Sequence, residues 1–204
     1  IYNIPNFANE ITIPVLKRLA LDCPRIVGTK DTSNDFSRFQ RILHEIKSQR
    51  PDFAALIGWE ELLCTAMFMG ADGGTLSSSG VVPEVLMKIY HEAKAGHWDE
   101  AKRAQFKLLD LFALMINAPN FPEGFRLGYQ LRGFNTGNAR FPLSAGEKIK
   151  MEDIRARIAC VLAECGFSEA AHACVNTNQG TTPDPDLRSE VESIVRKVMQ
   201  SLES

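Results

Sequence analysis

Long apolar runs, an excess of charge and paired cysteines are all missing from this chain. No stretch approaches the ~20 consecutive apolar residues of a membrane-spanning helix, and the opening residues do not read as a secretory signal. Lysine plus arginine (23) and aspartate plus glutamate (25) nearly cancel to a formal net charge of −2. That balance points away from nucleic acid and from an anionic membrane as partners. The cysteines, Cys23, Cys64, Cys160, Cys165 and Cys174, are odd in number and scattered. They form no CxxC, and no histidine joins them at metal-site spacing, so they read as reduced thiols of a cytosolic protein without a bound metal. An initiator methionine is also missing: the chain opens on Ile1, in what reads as a buried strand. A piece of a longer protein is therefore expected.

What is present suits a substantial α/β domain. The chain has 204 residues, 45% of them hydrophobic, enough for a real core. Ile1–Ile4 reads as a short strand closed by Pro5, and a helix is expected from about Thr12 to Leu21, with Pro14 in its first turn. Strand Arg25–Lys30 comes next, then a helix Asn34–Gln49 with Phe36, Phe39, Ile42, Leu43 and Ile46 on one face. Strand Phe53–Ile57, helix Glu60–Met69, strand Gly73–Leu76 and helix Pro83–Ala95 complete four strand–helix units. Strict alternation of this kind indicates a parallel sheet. Gly70, Gly73 and Gly74 lack the following Gly-Lys-Ser/Thr of a phosphate loop and read as tight strand–turn geometry. Met67 and Met69 read as core.

Beyond residue 95 the pattern is helical. The segment His97–Asn117 carries Trp98, Ala101, Phe106, Leu109 and Phe112 at helical spacing, and Pro122–Arg132 and Gly146–Glu164 follow. The expected organisation is 1–95 strand–helix units, 96–166 helical region, 167–186 polar linker (with NTNQGTTPDPD at its heart) and 187–204 amphipathic tail helix. In the tail, Leu187, Val191, Ile194, Val195, Val198, Met199 and Leu202 form one apolar stripe.

In parallel α/β architectures ligands bind where the strands end at their carboxyl side. Tyr2 lies in the first strand and Lys30 ends the second. Gly58 ends the third, with Glu60 and Glu61 beyond it, and Ser77–Ser79 follow the fourth. A charged amine at the end of an apolar strand is either a snorkelling surface residue or a chemical tool. A desolvated lysine can attack a ketone as the neutral amine, and a neighbouring phenol can relay protons. Glu60 and Glu61 can equally serve the dipole at a helix start.

The segments YNIP, IVGTKDTS, IGWEELL and GADGGTLSS resemble strands five to eight of the dihydrodipicolinate synthase and N-acetylneuraminate lyase superfamily, and the resemblance runs from Ile1 to about Gly166. These are (β/α)8-barrel class I aldolases acting on pyruvate, and the tyrosine-to-lysine separation matches theirs. The resemblance implies a fold that is the C-terminal half of a (β/α)8 barrel, followed by three helices. It implies that Lys30 forms an imine with pyruvate, that Tyr2 relays protons, and that no cofactor is needed beyond that covalent imine. Thr32, Gly58, Glu60, Glu61 and Ser77 fall where the lyase branch faces its substrate, and a homotetramer is the family's usual assembly.

Two departures shape the expectation. The synthases carry an arginine five residues after the tyrosine to hold their aldehyde's carboxylate, and Phe7 stands there instead. The first four strands of a barrel that usually needs about 250 residues are not in this sequence. The leading expectation is a cytoplasmic carbon–carbon lyase cleaving a 2-keto-3-deoxy sugar acid, or a sialic-acid-like substrate, to pyruvate and an aldehyde. Its activity would require the missing N-terminal half. A dehydratase or condensing enzyme using the same imine, or a non-catalytic cargo module, are the alternatives. The tail resembles peptides that direct cargo into bacterial microcompartments, which would make a shell protein its partner.

Overall fold

The computed structural model describes residues 1–174, which form one compact unit, Ile1–Cys174. Residues 175–186 of the expected linker and the tail helix 187–204 lie outside the described residues. Within the unit, four strands, β1 (Tyr2–Asn3), β2 (Gly28–Asp31), β3 (Ala54–Ile57) and β4 (Gly73–Gly74), form one parallel sheet in the order β1-β2-β3-β4. Every neighbouring pair is parallel and consecutive in the chain, as repeated strand–helix crossovers require. The change of pattern near residue 95 is therefore a change of architecture inside one unit.

The crossovers are α1 (Ile13–Asp22), α2 (Phe36–Ile42, continued as a π-helical turn Leu43–Lys47) and α3 (Leu63–Phe68, entered through a 3-10 turn Glu60–Leu62). The helix expected over Asn34–Gln49 thus starts later and widens at its end, and Asp35 caps it by accepting from the Arg38 N–H at 3.0 Å. A 3-10 turn Ser77–Gly80 leads from β4 towards α4 (Pro83–Lys94), and α5 (Trp98–Ile116), α6 (Glu123–Leu131) and α7 (Ala145–Glu164) follow. Ser144 and Glu147 close α7 with a capping box.

One sheet face is packed. Thr29, Asp31, Ala55 and Ile57 are buried, while Gly28, Lys30, Ala54 and Leu56 on the alternate face are half-buried. Phe39, Ile42 and Ile46 present the α2 stripe to the core as the spacing predicts, with Phe53, Leu16 and Ile57. In α5 the buried stripe runs through Ala101, Ala104, Leu108, Leu111, Phe112 and Met115, leaving Phe106 exposed. Met67 is buried, whereas Met69, also expected in the core, is 43% exposed at the helix end.

Two expectations are corrected. A disulfide joins Cys160 to Cys174, so these are not reduced thiols here. Part of the expected linker is folded as well: Ser168–Ala173 is a 3-10 turn with Ala170 fully buried. Arg132 ties it down by pairing with Glu169 at 2.9 Å and lying 3.8 Å over the Phe167 ring. The same guanidinium donates to the Val81 carbonyl at 2.6 Å and pairs with Glu84 at 2.9 Å. Polar composition concealed this turn because one buried alanine and one borrowed arginine hold it.

At the amino-terminal side of the strands, Lys47 Nζ lies 2.8 Å from both Asp72 oxygens, and Asp72 accepts the Ala55 N–H at 2.8 Å. Burial alone would raise the Asp72 carboxyl; the bonds from Lys47 and Ala55 outweigh it and hold the group below its ordinary value. Its unfolded value is the higher of the two, so the stabilisation is present above ~3.8 and is lost as pH falls through the folded value. Asp72 is 38% exposed, so after solvent screening the expected contribution is only ~0.5–1 kcal/mol. Urea midpoints measured from about pH 6 down to about pH 2 should fall less steeply for Asp72→Asn than for the unaltered chain. Parallel curves would refute this account.

Candidate active site

Because all four strands run in parallel, their carboxyl ends lie along one edge of the sheet, and the residues singled out from sequence collect there. The register places Tyr2 opposite Lys30, Lys30 opposite Leu56 and Leu56 opposite Gly73. These residues form one row on the half-covered face. The Lys30 amine lies 4.3 Å from the centre of the Tyr2 ring, within reach of a cation–π attraction. Beside the row runs a groove of about 310 Å³ whose lining includes Leu56, Gly74, Leu76, Ser79, Met87 and Tyr90.

Behind Lys30 is a buried polar network that the sequence reading missed. Asp31, 1% exposed, accepts from Asn3 Nδ2 at 2.9 Å and from Arg38 Nε at 2.8 Å. Its other oxygen accepts from the Ser33 N–H and hydroxyl at 3.1 and 2.5 Å. Arg38, itself 6% exposed, also pairs with Glu10 at 3.1 Å and donates to the Ile11 carbonyl at 2.5 Å. Asn3 Oδ1 accepts the Ile11 N–H at 3.0 Å. The network ties together β1, β2 and α2, and so holds the strands that carry Tyr2 and Lys30. The available signal was the aspartate immediately after Lys30, with an arginine seven residues further on.

Thr32 and Gly58 follow β2 and β3 and touch. A Cβ built on Gly58 would lie 1.9 Å from Thr32 Oγ1 and 3.0 Å from the Asp31 carbonyl, so only glycine fits there. Thr32 Oγ1 is buried with no hydrogen-bond partner in the structure, which leaves a hydroxyl free beside the strand ends.

The two glutamates separate. Glu61 is exposed and accepts from Trp59 Nε1 at 2.7 Å. Glu60 is 2% exposed, and its Oε1 accepts from the Ser78 N–H at 2.9 Å and the Ser78 hydroxyl at 3.1 Å. Burial raises the Glu60 carboxyl above its ordinary value, and the bonds from Ser78 only partly offset this. The expectation that both carboxylates offer open acceptors to a substrate is corrected for Glu60, because the 3-10 turn directs it into the core. Ser77 opens the exposed end of the Ser77–Gly80 turn, beyond the end of β4.

The arrangement is a TIM-barrel-like α/β fold with an amine and a phenol side by side at the strand ends. The dihydrodipicolinate synthetase family model matches residues 1–160, and the chain belongs to that family. Relatives include an uncharacterized DapA-like lyase of Thermococcus kodakarensis, 29% identical over 163 residues, covering 79% of this chain and 56% of the relative. A probable 2-dehydro-3-deoxy-D-pentonate aldolase of Escherichia coli is 29% identical over 153 residues, covering 74% and 51%. Among solved structures, dihydrodipicolinate synthase from Thermotoga maritima superposes with a TM-score of 0.70 at 23% identity, covering 81% of this chain and 55% of that one. A prophage protein of the same family from Escherichia coli, solved with pyruvate, gives 0.69 at 21% identity, covering 81% and 55%. The chain spans about half the length of the curated relatives it matches. Among the described residues no helix is long and apolar enough to cross a membrane.

Proposed function

We propose that this chain is the C-terminal half of a (β/α)8 barrel that acts as a class I, pyruvate-dependent carbon–carbon lyase or aldolase once the preceding half completes it. The observation that carries the reading is Lys30 paired in register with Tyr2 at the strand ends of a chain of this family. The incompletely covered row Tyr2–Lys30–Leu56, exposed at Tyr2 and half-buried at Lys30 and Leu56, supports a missing half, since parallel sheets are normally covered on both faces.

In this reading the Lys30 amine adds to the C2 carbonyl of a 2-keto-3-deoxy acid, and loss of water gives the imine. Tyr2 carries the protons for both steps. The imine accepts the electron pair released when the C3–C4 bond breaks. The C4 hydroxyl proton is relayed through Tyr2 to C3 of the enamine as the aldehyde leaves, and water then hydrolyses the resulting imine to pyruvate and free Lys30. The Thr32 hydroxyl, buried against Gly58 with no hydrogen-bond partner, is the group on that side that a bound keto acid would have to reach. Glu61 and Ser77, both exposed, are the groups that in this reading meet a polyhydroxylated substrate. Phe7, 79% exposed, offers no cation for an aldehyde's carboxylate, which favours hydroxylated aldehydes over the synthase reaction. The naming of the Escherichia coli relative as a probable 2-dehydro-3-deoxy-D-pentonate aldolase supports the same substrate class. A homo-oligomer is part of this proposal.

The test is pyruvate release from a panel of 2-keto-3-deoxy pentonates and hexonates by the completed barrel. Release from these and not from sialic acid would narrow the class; efficient dihydrodipicolinate formation instead would refute the proposal. Glu61→Ala should cost ~1–3 kcal/mol of transition-state binding for hydroxylated aldehydes. That loss is read as a fall in kcat/KM with short, unhydroxylated aldehydes unaffected.

A further inference from the structure

Among the described residues the buried acids Asp31 and Glu123 pair with arginines, whereas Glu60 has no cationic partner. A buried carboxylate is costly unless it is bonded, and this one is bonded to a single element, the turn Ser77–Gly80. Ser78, fully buried, gives it both an N–H and a hydroxyl. On the backbone side, Gln105 Nε2 of α5 donates to the Glu60 carbonyl at 2.9 Å, while Gln105 Oε1 accepts the Cys64 N–H at 2.9 Å. One buried glutamine therefore braces the segment that carries Glu60. The far end of the same turn is closed by contact: a Cβ on Gly80 would lie 1.6 Å from Tyr129 Oη. The turn is thus gripped at Ser78 by a carboxylate from the loop after β3, and at Gly80 by a phenol from α6. Ser77 and Ser79 are left exposed between and beside these grips.

We infer that Glu60 is a positioning residue: its carboxylate clamps the Ser77–Gly80 turn at the carboxyl end of β4, so that Ser77 and Ser79 face the aldehyde half of the substrate and Glu61 alone supplies an open carboxylate. The clamp acts through Ser78, and Glu60 itself touches no substrate. The kinetic consequence rests on the aldolase reading, whereas the clamp can be measured without it.

Amide hydrogen exchange on the full 204-residue chain reads the clamp directly. Glu60→Ala should speed exchange at Ser78 by tenfold or more while Ile89 in α4 keeps its protection. Glu60→Gln, whose carbonyl oxygen can accept the same two bonds, should stay within about threefold of the unaltered chain, and Glu61→Ala should leave Ser78 unaffected. In the completed barrel, Glu60→Ala should raise KM for the aldehyde tenfold or more, with borohydride trapping of pyruvate on Lys30 at an unchanged rate. Glu60→Gln should restore KM. Unchanged Ser78 exchange in Glu60→Ala, or Glu60→Gln as fast as Glu60→Ala, overturns the clamp; an unchanged KM overturns the positioning role. If the unaltered barrel traps no pyruvate, the aldolase reading falls and exchange alone decides the clamp. If Ile89 loses protection in Glu60→Ala, Ser78→Ala takes its place: a severalfold rise in aldehyde KM with unchanged trapping supports the role, and no rise overturns it.

Discussion

Lys30→Ala in the completed barrel should abolish borohydride-dependent attachment of pyruvate and lower kcat/KM by roughly 10³-fold or more, because the covalent route is lost rather than weakened. Lys30→Arg should fail equally, since a guanidinium stays protonated and cannot add to a carbonyl. Neither change should cost much stability. Lys30 is half-buried, and among the described residues its amine is held by the Tyr2 ring alone, an interaction of about 0.5–1 kcal/mol at a partly exposed site. Intact-mass and peptide analysis after reduction with pyruvate is the measurement. An adduct on another lysine, or substantial turnover by Lys30→Ala, would remove the basis of the proposed chemistry. Tyr2→Phe separates the two roles of the tyrosine. It keeps the ring beneath the amine but removes the proton carrier, so it should slow imine formation and turnover together without unfolding the protein.

The largest stability effect is expected one residue further along the same strand. Asp31→Ala leaves the Arg38 guanidinium in a site where only 6% of the residue is exposed, and takes away the partner of Asn3 Nδ2 and of Ser33. Breaking a buried ion pair from one side typically costs ~3–5 kcal/mol, because the surviving charge stays desolvated, and the lower end is expected here since Arg38 keeps Glu10 and the Ile11 carbonyl. Arg38→Met should be damaging for the mirror-image reason, softened by the partial exposure of Glu10, its second partner. The double replacement Asp31→Ala with Arg38→Met should recover part of the loss, since neither charge is then buried alone. Urea unfolding of the four proteins closes the cycle. Single replacements within ~1 kcal/mol of the unaltered chain would show that the network is not what holds β1 against β2.

The strand–helix alternation was legible in the sequence because it is written in local periodicity. Phe39, Ile42 and Ile46 recur at helical spacing, and short apolar runs end at turn formers. Lys30 and Tyr2 were legible for a related reason. In consecutive parallel strands joined by a crossover, the register follows from where each strand starts, so two residues near the strand ends become neighbours. The family resemblance carried the rest of that reading. Burial slipped where tertiary contacts decide it, as at Phe106, which keeps helical spacing but falls outside the buried stripe of α5.

What the tertiary structure decided were pairings between residues distant in the chain. Glu60 and Glu61 are adjacent and chemically alike, so nothing local says which one turns inward. Ser78 and Gln105, 18 and 45 residues away, settle it by meeting the buried one. Cys160 and Cys174 look scattered in sequence, yet the turn Ser168–Ala173 doubles back on α7 and joins them. Arg38 lies beside Phe39 on α2, and nothing local shows that β1 and β2 bring Asn3 and Asp31 beneath it. Composition and periodicity set the elements and the row that holds Lys30. Which polar groups are buried, and against what, is a property of the packed sheet and helices, because a buried charge is tolerated only where distant partners converge on it.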